Sequence, residues 1–338
     1  MLRILLLFIA TLCLIGLNYW SFTGIFNDRN IVFRYLNYFG YYIPILALFI
    51  TIAGFCFSRY RSVRALLILL LLPTATIPYY LATADFGGKA QSNLPDNSQS
   101  LSSLTLSFVT FSKMSRNNNY SEIAKILDCQ KYDVIVVQEI SDLDKVLAAK
   151  PEIAEHCHYA YAGMPEKFLT IFSKYPISDA SADQIANVNM FRVSLPGQNI
   201  NVLTTRLAKT FDDRGLETQR RQVEQLALLV ENLSGATILA GDFNSTPHNY
   251  PIFKIKQHMT YASPEGFFMS TFTFPADGRR LGILGALIRI DHIFYKNVVL
   301  NSVEVMKNNF GSDHYPVHAL FTIPIMAATV QQSKGLGE

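Results

Sequence analysis

The sequence predicts a mixed α/β domain carried behind an apolar, helical amino-terminal segment, and two observations lead there. The first is a change of composition. Of 338 residues, 50% are hydrophobic and only 16% are charged, which is unusually apolar for a soluble chain. The excess lies before Ala84, where Asp28 is the sole acid. The second is a change of period: beyond Ser103, short continuous apolar runs alternate with stretches whose apolar positions recur at helical spacing.

Three apolar stretches make up the first region: Ile4 to Tyr19, Tyr41 to Phe57 and Ala65 to Leu81. Each approaches the ~20 residues that cross a ~30 Å hydrocarbon core, so three transmembrane helices are expected within residues 1–83. A cleaved signal peptide is rejected because Tyr19 and Trp20 stand where small residues are needed and two more spans follow. Leu12 ahead of Cys13 likewise argues against a lipoprotein site. Arg59, Arg61 and Arg64 crowd the loop between the second and third spans, with Arg3 at the amino terminus, whereas Arg29 and Arg34 in the first loop are offset by Asp28. The positive-inside rule then puts the amino terminus in the cytoplasm and everything after Thr83 on the far side.

A Gly-, Ser-, Asn- and Gln-rich stretch, 84–103, reads as a tether. The domain proper is expected over 104–324, with a tail at 325–338. Its strands are expected at Leu104–Phe111, Tyr132–Gln138, Tyr159–Gly163, Phe168–Ser173, Met190–Leu195, Asn199–Thr205, Thr237–Ala240, Arg289–Tyr295, Asn301–Val305 and Pro316–Thr322. Helices are expected at Tyr120–Leu127, Leu143–Ala154 and Glu217–Asn232, the last with Val223, Leu226, Leu228, Leu229 and Leu233 inward. Cys129 and Cys157 begin two successive strands of a strand-helix-strand unit. A bridge is conceivable there if their Cα atoms come within about 7 Å, but free buried cysteines, behaving as small hydrophobes, are the weightier expectation.

Several strand ends carry chemistry. Val134 to Val137 ends in Gln138-Glu139, and Thr237 to Ala240 ends in Gly241-Asp242-Phe243-Asn244. Asp291 sits inside Arg289 to Phe294, and Ser312-Asp313-His314 precedes Tyr315-Pro316. Taken alone, Gly-Asp-Phe-Asn also fits an Asx-type turn. Glu139 is a hard oxygen ligand suited to Mg²⁺. Asp242 and Asn244, two apart, share a face if the segment is extended. Asp313 and His314 make an acid-base pair, since histidine titrates near neutrality. His292 alternates with Asp291, faces the other side of the strand and is expected to be structural or peripheral.

This ordered set, over about Leu104 to Ile323, resembles the endonuclease/exonuclease/phosphatase superfamily of deoxyribonuclease I-like metal-dependent phosphoesterases, in its membrane-anchored bacterial form. The resemblance implies a four-layer α/β/β/α sandwich: two packed mixed sheets flanked by helices. It also implies a divalent metal, Mg²⁺ with Mn²⁺ as the alternative, held by Glu139, Asp313 and Ser112. Asp242 would orient or deprotonate water, Asn244 would donate to a phosphoryl oxygen, and Asp291 would orient His314. Two positions depart from the pattern: Ser112 stands for the usual asparagine and Arg206 for the usual histidine. Serine retains a hydrogen-bonding hydroxyl and arginine clamps phosphate bidentately, so a changed but functioning site and a decayed one both stay open. Asn118, in the polar loop after the first strand, is within reach of a substrate. Ser270 to Pro275 and Arg279-Arg280 resemble the substrate-side loop of membrane-tethered relatives.

The resulting expectation is a phosphoesterase in a bacterial inner membrane, its domain facing the periplasm or exterior. It would hydrolyse a phosphodiester or phosphomonoester of nucleic acid, nucleotide or phospholipid head group. The alternative is a catalytically impaired member that binds phospho-ligands or partners at the membrane. A net charge of +3 without a long basic run gives no support to processive nucleic-acid binding, though local contacts with nucleic acid stay open. The expected partners are the bilayer and the phosphate ester, and no residue pattern points to an obligate protein partner.

Overall fold

Four helices precede the sheets in this computed structural model, which describes residues 1–83, 103–161, 168–179, 185–264, 268–276, 283 and 285–325. The expected tether up to 102, the tail from 326, Gly163 and the Arg279-Arg280 pair lie outside the described residues. The helices are α1 (Leu2–Thr23), α2 (Ile31–Tyr38), α3 (Ile43–Phe57) and α4 (Arg61–Thr83). Two of them, α1 and α4 over Arg61–Leu81, are long and apolar enough to cross a membrane. The second expected span is different: α2 and α3 pass that test only together, bent by 91° at their junction. Alone, the 15 residues of α3 reach about 22 Å, short of a ~30 Å core. Leu14, Ala47 and Leu67 are fully buried where α1, α3 and α4 meet.

The junction is shaped by the domain it touches. A Cβ on Gly40 would lie 2.6 Å from the His248 ring, so only glycine lets the chain turn this close. His248 Nε2 bonds the Pro78 carbonyl of α4 at 2.9 Å.

After β1 (Ser103–Ser112) come α5 (Tyr120–Ile126), β2 (Val134–Gln138), α6 (Leu143–Ala149), α7 (Glu152–His156), β3 (His158–Tyr161) and β4 (Leu169–Ser173). The second half runs β5 (Ile177–Asp179), β6 (Val188–Leu195), β7 (Gln198–Arg206), α8 (Asp213–Asn232), β8 (Thr237–Asp242), α9 (Tyr250–Lys256), β9 (Thr260–Tyr261), β10 (Asp291–Lys296), β11 (Val299–Val305) and β12 (Val317–Pro324). Two six-stranded mixed sheets result, ordered β11-β12-β1-β2-β4-β3 and β5-β6-β7-β8-β10-β9. Their facing sides share one core, with Leu106, Phe108, Val136, Val202, Ile238 and Phe321 among its buried members. The outer face of the first sheet is covered by α5, α6 and α7, around Val109, Ile135 and Val137. The outer face of the second is covered by α8 and α9, around Leu203, Val223, Leu226 and Ile252. Strands buried on both faces explain why Val134–Val137 and Ile238–Ala240 are continuous rather than alternating apolar runs.

Three local expectations need correction, and three short elements were not expected. The single helix expected over Leu143–Ala154 is two, because Pro151 brings no backbone N–H and starts α7. Leu228 of α8 is 60% exposed; the inward positions are Leu216, Val223, Leu226, Ala227 and Val230, with Leu229 only partly buried. The segments β5, β9 and α9 are too short to show a period. Cys129 and Cys157 are bridged, with Cα atoms 5.4 Å apart, where free thiols carried the greater weight. Their strands, β2 and β3, each pair antiparallel with β4; they are therefore parallel, and both cysteines lie at the pole away from Glu139.

Candidate active site

Three neighbouring strands of the second sheet put three charged side chains in one row. In the register, Asp242 pairs with Arg206 of β7 on one side and Asp291 of β10 on the other. The approach is close: Gly241 has φ +148°, and a Cβ there would meet the Thr205 carbonyl oxygen at 2.0 Å. Asp242 is fully buried. Its Oδ1 accepts the backbone N–H of Asn244 at 2.9 Å, and Asn244 has φ +45°. The segment therefore turns at once, and Asp242 and Asn244 meet through an Asx turn rather than through the shared face of an extended strand. The Asn244 amide donates to the Leu207 carbonyl at 2.8 Å and lies 3.3 Å from Asp242 Oδ2. Its donors thus hold the loop, which modifies the expected role toward a phosphoryl oxygen.

His314 enters the same row from the turn before β12. The Ser312 hydroxyl donates to the Ser112 carbonyl at 2.6 Å and accepts the His314 N–H at 3.0 Å, tying that turn to the end of β1. His314 Nδ1 then meets Asp291 Oδ2 at 2.8 Å. Glu139 comes from the other sheet, just beyond β2, with φ +62°. The Ser115 N–H donates to its Oε2 at 2.9 Å, and the Ser115 hydroxyl donates to the same oxygen. Arg206 bridges the sheets: its guanidinium is 2.5 Å from Glu139 Oε1 and 3.9 Å from Asp242 Oδ2.

The electrostatics follow from this crowding. Burial alone would raise the Glu139 carboxyl, but Arg206, the two Ser115 donors and Lys209 together hold it below the usual carboxylate range. Burial pushes Asp242 up to about 6, with repulsion from Asp291 adding and His314 and Arg206 opposing. Burial would make His314 a weaker base, but Asp291 in contact, with Asp242 and Asp313 nearby, lifts it to about 10. Burial, reinforced by Glu139, raises Asp313 despite its attraction to His314, 3.8 Å away. A protonated His314 clamped by Asp291 is a proton donor and anion contact at neutral pH, while Asp242 is poised to accept a proton.

Glu139, Arg206, Asp242, Asn244, Asp291, Asp313 and His314 thus converge. Asn118 does not join them: it is exposed, and its side-chain oxygen takes a bond from the Tyr120 hydroxyl. Ser112 is buried under the site with a hydroxyl that has no partner. His292 is buried with its ring nitrogens on the Tyr261 hydroxyl and the Ser245 carbonyl, a structural role as expected. The geometric cluster suited to a metal among the described residues is Asp242, Asp291 and His314, within 4.8 Å of one another. Because His314 is protonated and its Nδ1 is committed to Asp291, we read that trio as a hydrogen-bonded relay. For a divalent cation the fitting donors are the ionised Glu139 and the unpartnered Ser112 hydroxyl, with Asp313 beside Glu139. One adjustment is required, that Arg206 release Glu139 Oε1.

The sequence reasoning missed a clamp supplied by the amino-terminal region. Arg34 of α2 is completely buried and pairs with Asp28 at 2.8 Å. It donates to the Asn244 carbonyl at 2.5 Å, to Ser245 Oγ at 3.1 Å and to Thr210 Oγ1 at 2.8 Å. The Tyr38 hydroxyl donates to the same Asn244 carbonyl. Asp28 accepts from Asn249 Nδ2 at 3.0 Å and from the Tyr250 N–H at 2.9 Å. The signal was in the sequence: a lone acid and an arginine six residues apart in an otherwise apolar region.

The model of the Endonuclease/Exonuclease/phosphatase family matches residues 106–314. Among solved structures, a humanized TDP2 of D. rerio superposes with a TM-score of 0.52 at 16% identity, covering 64% of this chain and 98% of that one. An endonuclease/exonuclease/phosphatase family protein of Bacteroides thetaiotaomicron gives 0.52 at 14% identity, over 66% and 99%. D. rerio TDP2 complexed with a single-strand DNA product gives 0.50 at 15%, over 64% and 98%. Among curated proteins, a UPF0294 protein of Vibrio parahaemolyticus is 26% identical over 153 residues, 45% of this chain, and the match spans less than half, 44%, of that relative's length. With the family model matching most of the chain and the fold shared with these structures, this protein belongs to the endonuclease/exonuclease/phosphatase family.

Proposed function

We propose that the chain is a membrane-anchored, Mg²⁺-dependent phosphoesterase that hydrolyses a phosphodiester or phosphomonoester. The observation that carries the reading is the row Arg206, Asp242, Asp291 and His314, faced by Glu139 from the opposite sheet. In it Asp242 positions the attacking water and takes its proton, His314 donates to a phosphoryl oxygen with Asp291 holding its ring, and Asn244 fixes Asp242. Glu139, Asp313 and Ser112 would hold the cation, whose chemistry is to neutralise charge developing on the phosphoryl oxygens. The units we assign are an anchor at 1–83, a tether at 84–103, the catalytic domain at 104–324 and a tail. The anchor contributes α1 and α4 as spans and the bent α2–α3 pair as a third membrane segment, with α3 in the bilayer and α2 along its surface. We assign the domain to the outside of the cytoplasm, in the periplasm or exterior of a bacterial inner membrane; the arginines around Arg61 favour that side, and the Cys129–Cys157 bridge is in keeping with an oxidising compartment.

A second reading has one observation in its favour. Arg206 already neutralises Glu139, as expected of a member that binds a phosphorylated ligand without cleaving it. The full chain, purified in detergent, should turn over bis-p-nitrophenyl phosphate or p-nitrophenyl phosphate with Mg²⁺, and lose that turnover with EDTA or in Asp242→Asn. Binding of inorganic phosphate with no turnover of either ester would establish the second reading instead.

A further inference from the structure

The helix α2 has its polarity reversed. Its buried residues are Arg34 and Asn37, whereas Val32, Tyr35 and Phe39, spaced for one face of a helix, are 62%, 43% and 47% exposed. A helix at a protein–water boundary does the opposite. The polar side of α2 is spent on the catalytic loop, through Arg34 on Asn244 and through the Asn37 carbonyl, which accepts from Thr246 Oγ1 at 2.7 Å. Its apolar side faces outward, beside the exposed apolar flanks of α1 and α3. The bend of 91° between α2 and α3 lays α2 across the spanning direction, where an interfacial helix lies.

Between α2 and the domain is a cavity of about 190 Å³. Its walls are apolar: Tyr35, Tyr38 and Phe39 on one side, Phe211, Phe274 and Ile288 on the other. The buried end is Asn244 and His314, and Lys209 also lines it. One mouth therefore joins a lipid-facing helix to the catalytic histidine, with a cation alongside for an anionic head. The volume is below the ~300 Å³ of sites that enclose a drug-sized ligand, so it admits only the head-proximal part of a hydrocarbon chain and leaves the rest in the bilayer.

We propose that this cavity takes the hydrocarbon of a membrane-lipid phosphate ester, delivering the phosphate to His314 from the bilayer side. The proposal rests on the phosphoesterase reading above and names its substrate class. A nucleotide would want polar partners for its base and sugar; besides Asn244 and His314 at the buried end the lining offers Lys209, Thr210 and the hydroxyls of Tyr35 and Tyr38, and Thr210 and Tyr38 are already bonded to Arg34 and to the Asn244 carbonyl.

The test uses the full chain in phosphatidylcholine/phosphatidylglycerol nanodiscs with Mg²⁺ and a series of alkyl p-nitrophenyl phosphates, methyl to octyl. We expect kcat/KM to rise roughly fourfold per methylene over the first few carbons. In Phe211→Asp, on the domain side of the cavity and 75% exposed, and in Phe39→Ala, which adds no charge to the outward side of α2, the octyl-to-methyl rate ratio should fall, tenfold or more in the former. A ratio near one in the wild type, with the methyl ester still cleaved, overturns the proposal and leaves the phosphoesterase reading intact. Faster cleavage of the p-nitrophenyl ester of thymidine monophosphate than of the octyl ester overturns it in favour of nucleotides. If no ester is cleaved, a diazirine-tagged octyl phosphate decides occupancy alone: cross-links at 35–39 and 211 support the cavity's role, and their absence overturns it.

Discussion

Helices α2 and α8 reach the same carbonyl from opposite sides and are built on opposite plans. Gln219 of α8 donates to the carbonyls of Ala208 and Phe243 at 2.8 and 3.1 Å and lies 3.4 Å from that of Asn244. Arg34 of α2 donates to the Asn244 carbonyl as well. Around that shared polar contact, α8 buries Val223, Leu226 and Val230 and exposes its charges, for example Arg221 and Glu217. In contrast, α2 buries an ion pair and exposes Val32, Tyr35 and Phe39. The same loop, Phe243 to Ser245, is thus held by one helix whose stability comes from burying apolar surface and another whose stability comes from satisfying buried polar groups. The second plan is economical only where the outer face does not meet water.

The comparison can be broken at its centre first. Asp242→Asn keeps the Asx turn but removes the proton acceptor, and kcat should fall by about 10²–10⁴-fold, with the melting temperature held or raised because a buried carboxylate is gone. A loss of fold instead of activity would mean that both helices clamp a structural turn. Next, Arg34→Leu leaves Asp28 buried and unpaired and should cost about 3–5 kcal/mol, read by thermal unfolding in detergent. Adding Asp28→Asn should restore part of it, whereas equal effects of single and double variants would discount the ion pair. On α8, Leu226→Ala should cost about 2–5 kcal/mol with no such partner rescue.

A weaker test concerns pH. Burial lowers the His314 pKa, but the charges of Asp291, Asp242 and Asp313 outweigh it and raise it to about 10, so its folded-state pKa exceeds the unfolded value. Its stabilisation is then complete below about 6.5 and is lost as pH rises through about 10. Melting temperatures in EDTA should fall between pH 8 and 10.5 in the wild type and fall less in Asp291→Asn. The smallest effect sharpens the contrast of outer faces. Leu228→Lys on α8 should change stability by no more than about 0.5 kcal/mol, whereas Val32→Lys, equally exposed, should weaken retention in nanodiscs while leaving unfolding in detergent unchanged.

Much of the fold was legible. Continuous apolar runs such as Val134–Val137 and Thr237–Ala240 could only be buried strands once turn residues bounded them, and each ended in the acid that reaches the site. Two expectations fell short for different reasons. Leu228 is two positions from Leu226 and five from Val223, so helical spacing puts it on the side of α8 opposite the buried stripe of Val223, Leu226, Ala227 and Val230. Glu139 was legible as a site acid, but not that Ser115 and Arg206 would hold its two oxygens.

By itself the sequence determined the chemistry at the strand ends, the order of those strands and the apolar character of the first 83 residues, because hydrophobic period and turn residues act over a few positions. Only the tertiary structure decided which charges meet. Arg206, Asp242 and Asp291 become neighbours through strand register, and Cys129 finds Cys157 because β2 and β3 run parallel on either side of β4. Asp28 and Arg34 become part of the support of the loop at Asn244 because a buried ion pair is tolerable only where a folded neighbour completes its hydrogen bonds. That neighbour lies more than two hundred residues away along the chain, out of reach of any local rule.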